Sequence, residues 1–307
     1  MRLLFLLLFA ASLSFAQGFG SLVGTVTDPS GAVVAGAKIT VTNPSTGQVR
    51  QEATNAQGYF TVASLKPATY DVTVSAPGFS QSTQKGVTLL ADQSATVNTT
   101  LAIGKAAETI SVTGEVPQIN TTSATLSQVV DQRKVVDLPL NGRNAASLLL
   151  VVAGAIPSPA NDVDQGNTKT FPTVVTVSTN GARQNQVSFR LDGANNNDLY
   201  TNVNQPFPFP DALQEFSVQT SNYSAQYGGN AGGVVNIVTK SGTNSLHGSC
   251  FEFVRNAVFN ARNFFAPTVD QIKRNQYGGA IGGPVIIPKL YHGKDRTFFF
   301  FGYQGTK

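Results

Sequence analysis

The nucleophile to look for first is a cysteine, and the chain has one, Cys250, with two histidines, His247 and His292. A thiol becomes a catalyst when a neighbouring imidazole takes its proton. Cys250 instead sits in the alternation Cys250-Phe251-Glu252-Phe253, the pattern of a strand whose side chains face a wall or lipid, so a Cys/His pair is not expected. Asp192, Asp198, Asp211 and Glu215 could supply paired carboxylates for acid–base chemistry. No spacing selects a pair among them, and solvated or ion-paired carboxylates are the default. Asp162 and Asp164 form an Asp-x-Asp step without the remainder of a calcium loop. The glycine-rich run Gly228–Gly233 lacks the Gly-Lys-Ser/Thr ending of a phosphate loop and reads as a backbone bend. No catalytic, metal or cofactor site is expected, and the chain does not read as an enzyme.

The elements that would carry these residues are mostly strands. Charged residues are 12% of the chain, against about 25% in ordinary soluble proteins. Glycine, serine, threonine, asparagine and valine are abundant, which favours strands and turns over helices. The net charge of +4 is spread along the chain without a basic stripe, which argues against nucleic acid as a partner. A lone cysteine permits no internal disulfide. A length of 307 residues suggests about two or three domains.

At the start, Arg2 precedes the apolar run Leu3–Phe9, and Ser14-Phe15-Ala16 places small residues before Gln17. This is the pattern of a secretory signal peptide, residues 1–16, cleaved between Ala16 and Gln17. It is too short to span a bilayer. Residues 17–103 then read as short strands with turn signals every 8–12 residues or so, the rhythm of an antiparallel sandwich. Strands are expected at Ser21–Thr27, Ala37–Thr42, Tyr59–Val62, Tyr70–Val74, Gly86–Leu90 and Ala95–Leu101, with Gly31, Gly58 and Gly78 at turns that need positive φ. The motifs Gly24-Thr-Val-Thr-Asp-Pro-Ser-Gly31, Thr54-Asn-Ala-Gln-Gly-Tyr-Phe60, Leu65-Lys-Pro-Ala-Thr-Tyr-Asp-Val72 and Ala76-Pro-Gly-Phe79 occur in order. Together they resemble the carboxypeptidase regulatory-like domain, which implies a transthyretin-like β-sandwich. That module brings no metal ligands, and residues 20–103 contain no histidine. Its likeness to starch-binding modules leaves sugar contact as one option, although the chain has no tryptophan to form a stacking platform. A spacer or docking role is the other.

Residues 104–118 form a connector. Within it Glu108, Thr109, Ile110, Ser111, Val112 and Thr113 make a short extended segment with alternating apolar positions. Such a segment can add to the edge of another sheet through main-chain hydrogen bonds. It resembles the TonB box; a last strand of the sandwich, or plain linker, is the alternative reading.

Residues 119–244 change character to an α+β pattern with long loops. A helix is expected over Ser127–Val136, an apolar run over Asn144–Val152, and a loop over 155–172. Strands are expected at Val174–Ser178, Gln186–Leu191, Glu215–Thr220 and Val234–Thr239. The runs Leu138-Pro-Leu-Asn-Gly-Arg143, Phe189-Arg-Leu-Asp-Gly193, Asp211-Ala-Leu-Gln-Glu-Phe-Ser-Val218 and Gly232-Gly-Val-Val-Asn-Ile-Val-Thr-Lys240 resemble the plug of TonB-dependent outer-membrane receptors, closest to the Oar-like branch. Gln226 stands where relatives often carry an acidic residue, which puts an ion pair there in doubt.

Residues 245–307 read as the start of an outer-membrane β-barrel. Phe251 and Phe253 share one face of a strand Ser249–Asn256 and are expected to face lipid. Tyr277, Gly279 and Ile281 share a face of Gln276–Gly282, and Phe299, Phe301 and Tyr303 a face of Arg296–Gln304. A barrel needs at least about eight strands, so the expectation is a truncated piece of a longer receptor. The resemblance implies a mainly β architecture of sandwich, α+β plug and incomplete transmembrane β-barrel. It further implies location in the outer membrane, strand pairing with the periplasmic domain of TonB, contact with outer-membrane lipid, and an unknown extracellular ligand such as a glycan or peptide. A secreted carbohydrate-binding or adhesion protein using the sandwich is the alternative.

Overall fold

The computed structural model describes residues 20–104, 109–112, 125–157, 175–183, 185–223, 227–262, 264–269 and 271–307. The signal peptide with Ala16 and Gln17, Glu108, Thr113, Asp162, Asp164 and Gln226 lie outside the described residues. The described chain is mainly β.

The first strands are β1 (Gly20–Thr27), β2 (Lys38–Thr42), β3 (Val49–Ala53), β4 (Tyr59–Leu65), β5 (Ala68–Ser75), β6 (Gln81–Leu89), β7 (Ser94–Thr96), β8 (Thr99–Thr100) and β9 (Thr109–Val112). One sheet runs β4-β1-β7 with β8 also on β1, and a second runs β3-β2-β5-β6-β9. Period-2 alternation sends Leu22, Val26, Phe60 and Val62 of the first sheet and Ile39, Val41, Tyr70, Val72, Val74, Val87 and Leu89 of the second into one shared core. Burying each such side chain contributes on the order of 1.5–3 kcal/mol. Tyr70 is fully buried, and its hydroxyl donates to the Lys66 carbonyl at 2.7 Å. Strand β3 was not anticipated, because Val49-Arg-Gln-Glu-Ala53 has no apolar alternation and is exposed throughout. Antiparallel pairing with β2 alone makes it a strand, and its charges suit an edge.

The middle of the chain contains β10 (Leu126–Asp131), α1 (Gln132–Asp137), β11 (Ala155–Pro157), β12 (Val177–Thr179), β13 (Ser188–Leu191), β14 (Ala194–Asn195), β15 (Leu213–Ser221) and β16 (Val234–Thr239). Its sheet has the order β10-β15-β16-β13-β14, with β13 parallel to β16. The helix expected over Ser127–Val136 starts only at Gln132. The preceding residues are drawn into an antiparallel ladder with β15, where Val130 stands opposite Phe216, so tertiary pairing overrides the local pattern. Residues Ala145–Val151 form a 3₁₀ helix whose N-cap, Asn144, accepts from the Ala146 amide at 3.0 Å. Leu148 and Leu149 from that helix meet Phe189, Leu213, Phe216, Val218, Val235 and Ile237 in a second core.

The last strands are β17 (His247–Asn256), β18 (Lys273–Pro284), β19 (Ile286–Ile287), β20 (Tyr291–His292) and β21 (Phe298–Thr306). β17, β18 and β21 form an antiparallel sheet in unbroken register. Cys250 stands opposite Gly279 and Gly279 opposite Tyr303; Glu252 stands opposite Tyr277. One face therefore carries Cys250, Glu252, Val254, Tyr277, Ile281, Phe299, Phe301 and Tyr303, and it is open, with Phe301 63% exposed. The expected faces of β18 and β21 agree with this. That of β17 does not: Phe251 and Phe253 point the other way, toward the middle of the chain, where Phe251 lies 5.4 Å from the ring of Phe209. Register decides it, since Phe251 pairs with Gly278, at which a Cβ would meet the Phe251 ring at 2.8 Å.

Candidate functional site

The connector segment is the part of the chain whose backbone could engage a partner. Thr109–Val112 forms β9, parallel to β6, with Gln81 opposite Thr109, Ser82 opposite Ile110, Thr83 opposite Ser111 and Gln84 opposite Val112. β9 ends its sheet, so among the described residues no strand pairs along its outer side. A sheet edge of this kind presents alternate N–H and C=O groups to an incoming strand. The chain reaches it from β8 through Phe79, bridged to Ile103, and through the Gly104 amide, which donates to the Gly78 carbonyl at 3.3 Å.

The second constellation joins the Leu138–Arg143 motif to the last sheet. The Arg143 guanidinium pairs with the Asp211 carboxylate, and both side chains are nearly buried. Arg143 also lies 4.5 Å from the ring centre of Phe251 and 4.2 Å from that of Phe253, a cation–π arrangement on both rings. The Ser249 hydroxyl donates to Asp211 at 3.2 Å, and the Gln276 amide donates to the Gly142 carbonyl at 3.0 Å. Burial lowers the basicity of Arg143 and of Lys240, and the negative charge of Asp211 opposes the change in both. Beside this cluster lies a cavity of about 610 Å³ lined by Leu138, Leu140, Arg143, Phe253 and Arg274 among others. Sequence reasoning missed the role of Arg143. The signal was present in Asn-Gly-Arg: Gly142 and Arg143 both adopt positive φ, which aims the side chain across to β17.

The third constellation joins the two earlier sheets. Glu215, 4% exposed on β15, accepts the Ala91 amide at 3.0 and 3.2 Å. Burial pushes its carboxyl up to about 7; the Ala91 hydrogen bond opposes this, and the Asp92 carboxylate adds to it. Asp92 in turn accepts from the Asn236 amide at 2.6 Å.

The remaining expected candidates do not converge. Asp192 accepts from the Thr239 amide and hydroxyl, and Asp198 from Tyr200 and Thr201, whose hydrogen bonds lower its pKa. Cys250 is exposed on the open face, while the His247 ring lies against the Ser245 carbonyl. Among the described residues no group of three or more His, Cys, Asp or Glu side chains could hold a metal ion.

Residues 21–102 match the family model of the carboxypeptidase regulatory-like domain, and residues 238–307 that of an outer membrane beta barrel domain. Over 305 residues, 95% of the chain, the sequence is 27% identical to the TonB-dependent transporter Oar of Myxococcus xanthus. The chain spans about a quarter of the length of that curated relative (27%). The siderophore receptor PirA from Acinetobacter baumannii is 20% identical over 59% of this chain and 24% of its own, at a TM-score of 0.41. The 3-chlorocatechol 1,2-dioxygenase from Rhodococcus opacus 1CP is 12% identical over 29% of this chain and 61% of its own, at a TM-score of 0.24. Structural likeness this slight carries no functional argument. The barrel match and the transporter relative locate the chain in the outer membrane, and a sugar-binding role is not favoured. With a regulatory-like domain match ahead of a barrel-domain match, and an alignment to Oar over 95% of the chain, the chain is similar to TonB-dependent outer-membrane receptors of the Oar-like branch.

Proposed function

We propose that this chain is the N-terminal part of an energised outer-membrane transporter, built as a β-sandwich (17–103), a connector (104–118), a plug (119–244) and the first barrel strands (245–307). The observation that carries the reading is the extended segment Thr109–Val112, the edge strand of the sandwich's second sheet, along whose outer side no strand pairs among the described residues. The periplasmic domain of TonB adds a strand along Glu108–Thr113, and a pull on that strand is transmitted to the plug. The plug fills the barrel lumen and moves to admit a ligand held at extracellular loops. The transport step makes and breaks no covalent bond and calls for no cofactor. Exposed aromatic residues on the open face of β18 and β21 meet lipid, and Arg143 with Asp211 fastens the plug to the wall.

The test uses Ile110→Pro in the full receptor. Proline has no N–H to donate to a strand pair. The expected outcome is normal outer-membrane fractionation and loss of binding to the purified periplasmic domain of TonB. Undiminished binding by this variant overturns the assignment of the segment.

A further inference from the structure

The turn between β6 and β7, Leu90–Gln93, reaches the sheet of the middle module through buried polar groups. Asp92 adopts a left-handed backbone with φ 56°, a conformation that costs an aspartate free energy unless its surroundings hold it. Hydrogen bonds between Leu90 and Gln93 within the turn and contacts with the middle sheet hold it. The Ala91 amide donates to Glu215, and the Asp92 carboxylate accepts from Asn236. Glu215, Ser217, Gln219 and Asn236 form a buried polar row on the side of the sheet opposite Phe216, Val218 and Ile237. A polar row is buried only where something supplies partners, and the Asn236 side-chain oxygen remains without one. A buried carboxylate and a half-buried one thus meet at this interface, with one main-chain N–H and one amide as their partners. Like charges so placed favour retention of a proton.

We propose that the Leu90–Gln93 turn docks on the middle sheet through a proton held by the buried Glu215 carboxyl beside Ala91 and Asp92, so that the contact between the two modules loosens as pH rises. The charged residues on the other elements packed against β15 are Asp131, opposite Glu215 in the β10 register, and Arg133, Lys134 and Asp137 on α1; the charged group that raises the Glu215 carboxyl is Asp92. Because the docked carboxyl sits at about 7 and an ordinary one at 4.5, docking is accompanied by proton uptake. The docked state is therefore fully favoured below the ordinary value. Its advantage declines as pH rises and levels off above about 7. At a second contact between the N-terminal module and the rest of the chain, the Asn244 main-chain amide donates to the Ser45 carbonyl at 2.9 Å and the Asp295 carboxylate, which accepts from the Asn244 side chain, lies against Gly47; this contact is expected to act as a hinge.

The experiment uses the full chain in detergent with Cys250→Ser, and spin labels at the exposed positions Gln51 and Gln128. Between pH 5 and pH 8.5 the inter-label distance is expected to lengthen or broaden. Over the same range Ala91 amide protection is expected to fall on the order of a hundred-fold beyond the intrinsic pH effect. Glu215→Gln keeps an acceptor for Ala91 without a titrating group and is expected to stay docked at both pH values. Asp92→Asn removes the charge that helps to raise the Glu215 carboxyl, so it is expected to shrink the change and to move its upper end to lower pH. An unchanged distance in the parent chain across this range overturns the proposal, as does a Glu215→Gln chain that opens like the parent. Should Glu215→Gln not fold, the direction of the Asp92→Asn shift decides. The inference does not depend on the transport reading: loss of TonB binding by Ile110→Pro leaves it standing, and a pH-insensitive interface leaves the transport reading standing.

Discussion

Arg143 combines a φ of 53° with a buried ion pair and two aromatic faces, so its native position is held against local backbone preference. Removing one partner of a buried pair leaves the other charge unpaired, at a cost of roughly 3–5 kcal/mol. Arg143→Ala is therefore expected to lower the urea midpoint of the folded chain markedly. Arg143→Lys should recover only part of the loss, because an ammonium lacks the planar fork that addresses Asp211 while lying flat on rings. Gly58 makes the complementary point about backbone. At φ 69°, with a Cβ 2.8 Å from the Val26 carbonyl and 2.9 Å from Val33, Gly58→Ala is expected to cost about 1–3 kcal/mol, measured by denaturant unfolding. Gly31, Gly58 and Gly78 were all legible as positive-φ turns from their neighbours alone. Arg143 and Glu215 were not, because each derives its character from residues far along the chain, Phe251 and Phe253 for one and Ala91 and Asp92 for the other.

At the scale of elements, strand β16 matched its sequence expectation from end to end. It is an apolar run broken only by Asn236 and ended by Thr239, with glycines before it and Lys240 after it, and it lies buried between two neighbours. β10 failed as a helix because Val129 and Val130 fit either periodicity, and pairing with β15 decided between them. Phe216 on β15 is fully enclosed, so Phe216→Ala is expected to cost about 3–5 kcal/mol and to loosen β10 with it, seen as faster amide exchange at Val129 and Val130. β9 is held by only a short parallel ladder on one side, which favours its exchange for an intermolecular strand.

At the scale of the molecule, the last sheet presents an apolar face and an opposite face that meets Arg143, Phe209 and Gln276-bound Gly142. Gly302 lies where a Cβ would be 3.0 Å from the Phe209 ring, so β21 rests its inward face on the middle module. In the full receptor, Phe301→Arg is expected to weaken insertion into lipid vesicles by about 2–4 kcal/mol if the position lies near the bilayer midplane. Phe251→Leu should leave insertion unchanged and lower only the stability of the contact with Arg143. Equal insertion of the parent chain and Phe301→Arg would count against the open face as the lipid face.

The sequence by itself determined that the chain is strand-rich, that its turns fall at particular glycines, and which residues of a strand share a side. Period-2 geometry makes that much a local property. It did not determine which side of β17 faces the interior, nor that Val49–Ala53 is a strand, nor that Glu215 is dry. Those outcomes depend on register against a neighbouring strand and on what covers a surface, and both are settled only when distant segments pack.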